Sequence, residues 1–122
     1  MNSRTFADFN ETQRAGKLTL TCQEFRPFCR NTLYGFAAIH IAEMRMTIRD
    51  IAIHQKGDAR WAQMPAKPQM DKDGVALRDK TTGKIAYVSI IEVDDRATRN
   101  AFSQAVVSAV LKFHPTAFEG GA

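Results

Sequence analysis

The chain has few cysteines and none of the spacings that mark a zinc site. Cys22 and Cys29 are its only two cysteines, and no Cys-x-x-Cys pair or nearby histidine completes a metal set. Two thiols and no recognisable export signal favour a cytoplasmic protein with reduced cysteines. The sequence also lacks any run of the ~20 apolar residues that a membrane-spanning helix requires, so no membrane partner is predicted.

Patterns typical of catalysis are missing as well. The three histidines lie on separate segments and make neither a metal set nor a catalytic pair by spacing. Ser89 and Ser103 lack the context of a nucleophile elbow, and no glycine loop is present that could hold a phosphate. The sequence therefore predicts a protein that is not an enzyme and uses no metal or cofactor.

What the chain does have is the composition of a small basic domain. Of its 122 residues, 44% are hydrophobic and 25% are charged, which suits one soluble domain with a modest core. Lys and Arg number 17 against 13 Asp and Glu, a net charge of +4. This excess permits a polyanionic partner such as nucleic acid without requiring one.

Alternating apolar residues predict an antiparallel sheet. The Lys56–Asp58 turn between two alternating runs predicts a β-hairpin, and Pro65 ends its second strand because proline has no N–H for the ladder. Pro27 favours a turn or an irregular strand start over Arg26–Asn31. The predicted strands are Leu18–Phe25, Thr32–Glu43, Met46–His54, Ala59–Met64 and Ile85–Val93.

The third strand has an irregular hydrophobic pattern. Met46 and Ile48 share one parity, whereas Ile51 and Ile53 share the other, and side chains of a regular strand alternate between faces. An extra residue at Arg49-Asp50 would return all four to one face, as in a β-bulge. Burial of both faces is the alternative. The sequence favours the bulge.

A helix follows the strands. Asp94 or Asp95 is a suitable N-cap, apolar residues continue at helical spacing to about Phe113, and Pro115 stops the helix. The predicted fold class is α+β, an antiparallel sheet of four to five strands followed by one C-terminal amphipathic helix. The other predicted regions are a flexible leader at 1–17, a single domain at 18–115, an exposed loop at 65–84 and a disordered tail at 116–122.

A single sheet with one helix leaves strand edges open and the core small, so a homodimer is predicted. Val107 and Leu111 lie off the helical stripe that contains Phe102 and Val110. This position predicts that Val107 and Leu111 contact a partner subunit. Trp61, in an apolar strand, is predicted to belong to the core or the dimer interface.

Three segments resemble the stage V sporulation protein G (SpoVG) family. Ile48–Ile53 leads through the turn into Trp61–Lys67, which is similar to the family's Phe-Val-Ala-Met-Pro-Ser-Lys, and Thr98-Arg99 resembles the family's helix start. The resemblance implies a small dimeric α+β protein that binds DNA or RNA and regulates gene expression. The loop after Lys67 is longer than in the family pattern, and Asn100-Ala101 replaces the family's Gly-Lys.

Basic residues near these segments are the predicted nucleic-acid contacts, because phosphates need only positive charge within reach. Arg99 matches the family's arginine, and its guanidinium suits a phosphate. One alternative is a salt bridge from the helix start, within or between subunits, to Asp94, Asp95 or Glu92. The other is cancellation of the loop's charge by its aspartates. The predicted contacts are Arg49, Arg60, Lys67, Lys84, Arg96 and Arg99.

The sequence thus predicts a small dimeric nucleic-acid-binding regulator, and it does not choose between DNA and RNA. One alternative is a single-strand-binding protein with the layout of the transcriptional coactivator and Whirly families, in which Trp61, Tyr34 or Phe36 would stack on bases. In this reading a basic and aromatic surface on the hairpin is formed by Arg45, Arg49, Arg60 and Trp61. Another alternative is a structural or partner-binding protein that contacts no nucleic acid.

Overall fold

A computed structural model describes residues 18–119 and confirms the predicted α+β fold. Four antiparallel strands form one sheet in chain order. A short 3-10 turn, Ala42–Met44, joins the second strand to the third. The elements are β1 (Leu20–Arg30), β2 (Leu33–Ile41), β3 (Met46–Lys56), β4 (Ala59–Gln63), β5 (Ala66–Pro68), β6 (Tyr87–Ser89) and α1 (Arg96–Phe113). The predicted leader at 1–17 lies outside the described residues.

The first strand is longer than predicted. β1 continues through Pro27, which lies opposite Gly35, and ends at Arg30. The prediction of a turn over Arg26–Asn31 is therefore wrong, whereas the strand is irregular there, since its register shifts between Pro27 and Arg30. A proline is tolerated there because β1 is an edge strand, whose outward side needs no N–H for a neighbour. The reversal occurs instead at Asn31, in the left-handed conformation with φ of 57°.

The predicted bulge in β3 is confirmed. Ala37 lies opposite Ile51, whereas Ile39 lies opposite Ile48. β3 therefore has one residue more than β2 over this stretch. Asp50 takes the positive φ of 59° that absorbs the extra residue. As a result Ile48 and Ile51 both point into the core.

The helix begins and ends as predicted. The Asp95 carboxylate accepts a hydrogen bond from the Thr98 N–H at 2.9 Å, and the last helical residue is Phe113. The backbone of α1 comes closest to the two edge strands, β1 and β4, so the sheet curls around the helix. Fully buried side chains from both layers meet between them: Ile39, Ile51, Ile53, Val106 and Val110.

The predicted disordered tail is wrong for residues 116–119. These residues form a turn in which Ala117 and Phe118 are buried. The Phe118 ring lies 5.8 Å from that of Tyr34, measured between centroids. This short segment therefore closes one end of the core, because it adds an aromatic ring where the helix has already ended. Residues 120–122 lie outside the described part of the chain.

Residues 65–90 form an arm rather than a loop followed by a fifth strand of the main sheet. β5 pairs only with β6 within the described chain, so the predicted strand Ile85–Val93 is reduced to the three-residue strand β6 and one isolated bridge at Ile85, both outside the main sheet. Backbone hydrogen bonds link Gln69, Leu77 and Ala86 to one another. Two sharp turns are held by the carboxylates of Asp71 and Asp79.

Among residues 18–119, no helix is both long and apolar enough to cross a membrane.

Candidate nucleic-acid interface

The face of the main sheet that points away from α1 carries aromatic side chains. Phe36 lies between Arg26 on β1 and Ala52 on β3, in the row opposite in parity to the buried Ala37. The Phe28 ring lies 6.3 Å from the Phe36 ring, and Phe28 is 51% exposed. We call this surface, which includes Arg26, Phe28, Phe36 and Ala52, the outer face. Phe36 and Ala52 are half-buried, so aromatic rings and small side chains lie side by side on it.

A second aromatic pair lies on the same face where β3 and β4 pair. His54 and Trp61 are cross-strand partners, and their rings stack with centroids 5.2 Å apart and planes 6° apart. The His54 Nδ1 lies 3.0 Å from the Thr32 hydroxyl oxygen. Burial lowers the pKa of His54, because the charged imidazolium loses hydration there. Its stacking on His54 places the Trp61 ring on the outer face rather than in the core, and Trp61 is half-buried there.

Two arginines supply positive charge on the outer face. The Arg26 guanidinium lies over the Phe36 ring at 5.5 Å from its centroid and contacts the Asp50 carboxylate at 2.6 Å. Arg49, a predicted contact, lies 3.7 Å from the Glu24 carboxylate and keeps 68% of its side chain exposed. Sequence reasoning missed Arg26, because only the strand register brings it beside Phe36 and the bulged Asp50.

Arg60 does not share a surface with Trp61, contrary to the prediction. Successive side chains of a strand point to opposite faces. The Arg60 Nε donates to the Gln55 side-chain oxygen at 2.7 Å, and its guanidinium lies 4.5 Å from the centroid of the Phe118 ring. Arg60 therefore serves the end of the core at which Phe118 packs, and it lies away from the outer face.

The other predicted contacts lie on the arm and at the helix start. Lys67 and Lys84 are exposed on the arm, and Arg96 and Arg99 are exposed in the first turn of α1. Within residues 18–119, none of the four forms an ion pair. The predicted alternative of a salt bridge at the helix start is thus not formed by described groups.

Arg99 still acts on its neighbours. The pKa of Asp95 is lowered mainly by the Thr98 N–H and hydroxyl that donate to it, with a smaller contribution from the Arg99 charge. Arg99 also lines a cleft of about 590 Å³ together with Ala66, Ser89 and Asn100. This open cleft brings the helix start and the arm base together, which their distance in the sequence does not reveal.

The three predicted dimer contacts differ in how far they are buried within a single chain. Val107 is only 5% exposed in a single chain and packs in the core, so its assignment to a subunit interface is wrong. The curled sheet and the buried Phe118 cover more of the helix than a flat sheet would. Leu111 and Trp61 are half-buried, and Leu111 packs against the same core.

No family model matches the chain, and no significant match was found among curated proteins or solved structures. The resemblance to the SpoVG family therefore stays a prediction based on the residues given above.

Proposed function

We propose that this protein binds nucleic acid, and that single strands lie across the outer face. The observation that supports this most is the juxtaposition of Phe28, Phe36 and Arg26 on a sheet face that α1 leaves open. Aromatic rings on such a face can stack on bases, and every base offers a π-face, so binding of this kind tolerates many sequences.

Single strands fit this surface better than duplexes. In a duplex the base faces are covered by stacking, so an aromatic ring reaches them only if the helix is distorted. Phe28 is half exposed at the edge strand, where an incoming base can contact it without moving the backbone. The stacked pair of His54 and Trp61 adds a second aromatic position on the same face.

Phosphate contacts complete the proposal. Arg26 and Arg49 are paired with acidic side chains, and a phosphate can replace those partners because both arginine side chains are more than half exposed. Additional positive charge comes from Lys67 and Lys84 on the arm and from Arg99 at the helix start. Each phosphate neutralised in this way releases counterions, so affinity should fall as salt rises.

The experiment is a fluorescence-anisotropy titration with labelled single-stranded DNA, single-stranded RNA and duplex DNA at three salt concentrations. We expect single strands to bind more tightly than duplex and Phe28→Ala to weaken single-strand binding by roughly ten-fold, since one base–ring stack contributes about 1–3 kcal/mol. Phe113→Ala is the matched control, because Phe113 is 50% exposed but lies at the end of α1.

The proposal fails if no oligonucleotide binds below ~10 μM at low salt, where even non-specific binding is strong. That result would favour a protein that contacts other proteins only. Equal losses from Phe28→Ala and Phe113→Ala would place the binding surface elsewhere. We also propose that the protein acts in the cytoplasm as a homodimer, and that regulation of gene expression is the process it serves, as the SpoVG resemblance implies.

A further inference from the structure

An apolar groove of about 300 Å³ lies between the β2–β3 connection and the segment that enters α1. Its floor is formed by Ile41, Met44, Met46, Ile48, Met64 and Ile91, which we call the methionine groove. Met44 and Met46 are 45% and 39% exposed, so the groove is open to solvent in a single chain. Methionine side chains are flexible and polarisable, and they adapt to an inserted apolar group.

The arm, residues 65–90, exposes apolar side chains that no other part of the described chain covers. Its backbone is well hydrogen-bonded, yet none of residues 65–90, all of them described, is buried. It exposes six large apolar side chains, which are Met70, Val75, Leu77, Tyr87, Val88 and Ile90. Only a few of its apolar residues, such as Pro68, Ala76 and Ile85, are even partly buried, so the arm receives little of the main stabilising contribution to folding. It therefore calls for a surface to pack against.

The charges of the two surfaces are complementary. The arm carries five basic residues, Lys67, Lys72, Arg78, Lys80 and Lys84, against three aspartates. The rim of the methionine groove carries Glu92, Asp94 and Asp95, and no Lys or Arg lines the groove. A basic apolar arm and an acidic apolar groove on the same chain match each other in sign as well as in polarity.

The arm does not fill the groove of its own chain. No residue of 65–90 lines it, although the body residues that precede and follow the arm, Met64 and Ile91, both do. The β5–β6 pairing begins at Ala66 and Ser89, so the legs of the arm are tied together immediately beyond the groove. Bringing Val75 or Leu77 back into the groove would require a sharp fold at this paired base.

We propose that the arm of one copy docks into the methionine groove of a second copy, and that the reciprocal contact closes a two-fold dimer. An isologous pair of this kind satisfies both arms and both grooves at once. Two arms with six apolar side chains each can bury on the order of 1,000 Å², the size that a specific interface needs. This dimer does not depend on the proposed stacking of bases, because the outer face lies on other residues. Two arm lysines, Lys67 and Lys84, belong both to this proposal and to the proposed phosphate contacts.

The experiment measures mass in solution by light scattering at about 50 μM, without nucleic acid. We expect the wild-type protein to be a dimer, and Leu77→Asp on the arm and Met46→Asp in the groove each to be a monomer with unchanged helix content by circular dichroism. Both sites are exposed, so neither change disturbs the core. Phe28→Asp on the outer face is the control and should stay dimeric.

Mixing the two variants separates this geometry from any other dimer. A pair made of one Leu77→Asp chain and one Met46→Asp chain retains one unaltered arm–groove contact, because each chain supplies the surface that the other lacks. We therefore expect the mixture to regain a heterodimer that neither variant forms alone, and to lose it at high salt as the charge attraction is screened. A monomeric wild-type protein, a dimer that persists in both variants, or no recovery on mixing would overturn the proposal.

Discussion

The body of the molecule, residues 18–64 and 91–119, and the arm, residues 65–90, are ordered by different means. Among residues 18–119, every buried residue lies in the body, where Ile51, Ile53 and Val106 are fully inaccessible. The arm has none, and depends on turn chemistry at Asp71 and Asp79 and on backbone hydrogen bonds. Both regions contain alternating apolar residues, so a strand pattern by itself does not tell whether a strand will be covered.

The largest expected difference concerns apolar truncation. Ile53→Ala in the body should lower the free energy of unfolding by about 2–5 kcal/mol, because it leaves a cavity at a fully buried site. In the monomer, where Leu77 is exposed, Leu77→Ala in the arm should change it by less than about 0.5 kcal/mol. Urea unfolding followed by helix circular dichroism measures both, at a protein concentration low enough for the chain to be monomeric. Equal costs would show that arm and body unfold as one unit.

Glycine substitutions sharpen the same comparison. An added Cβ at Gly35 would lie 2.5 Å from the Phe25 ring and 2.6 Å from the Arg26 carbonyl oxygen, so Gly35→Ala should cost about 1–3 kcal/mol of global stability. At Gly74 there is open space, but the φ of +82° disfavours alanine by about 1 kcal/mol. Gly74→Ala should therefore speed amide exchange in the arm alone. A global effect of Gly74→Ala would contradict the separation of the two regions.

A smaller effect is expected where the helix protects the sheet edge. The buried Ser103 hydroxyl accepts the Ala62 N–H at 2.8 Å, which occupies a donor on the outward side of β4. Ser103→Ala should cost about 1–2 kcal/mol, because that N–H loses its partner in a half-buried position. Ser108→Ala, at an exposed position of the same helix, is the matched control and should have almost no effect. Similar costs at both positions would mean that the hydrogen bond contributes little.

The smallest effects come from pH, and they differ between the regions. Burial lowers the pKa of His54 in the folded body, so as pH falls the His54 side chain is protonated in the unfolded chain before it is protonated in the folded one. The free energy of unfolding should therefore decline as pH falls below about 6.5. His54→Phe keeps an aromatic ring beside Trp61 and should remove this decline between pH 7.5 and 5. Urea midpoints across that range measure it, and an unchanged slope in the variant would assign the decline to another group.

The arm should respond only in stronger acid. The N–H groups of Thr82 and Thr81 lower the pKa of Asp79, so its contribution to the turn is present above the ordinary carboxyl pKa of about 3.9 and is lost as pH falls through the lower folded value. The protection of the Thr81 and Thr82 amides against hydrogen exchange, measured relative to that of body amides, should fall only below about pH 4. Loss of arm protection already at pH 6 would contradict this.

Local signals predicted much of the body. The Asp95 cap, the end of α1 at Phe113 and the hairpin turn at Lys56–Asp58 each depend on a few neighbouring residues. The bulge at Asp50 also followed from parity, because four isoleucine and methionine positions could not otherwise share a face. For the candidate site, the sequence indicated Arg49 and an aromatic role for Trp61 or Phe36, but not Arg26.

Strand order and curvature decided the rest. Pro27 is acceptable within β1 because that strand is an edge, and Val107 is buried in a core cluster to which the sheet, the helix and Phe118 all contribute. Periodicity along the chain thus determined which residues form strands, turns and the helix, since those preferences act over a few residues. Which of these elements are covered, and which side chains meet on the outer face or beside the methionine groove, depends on contacts between distant segments. Only the tertiary structure decides those contacts, because burial and register are properties of the packed chain as a whole.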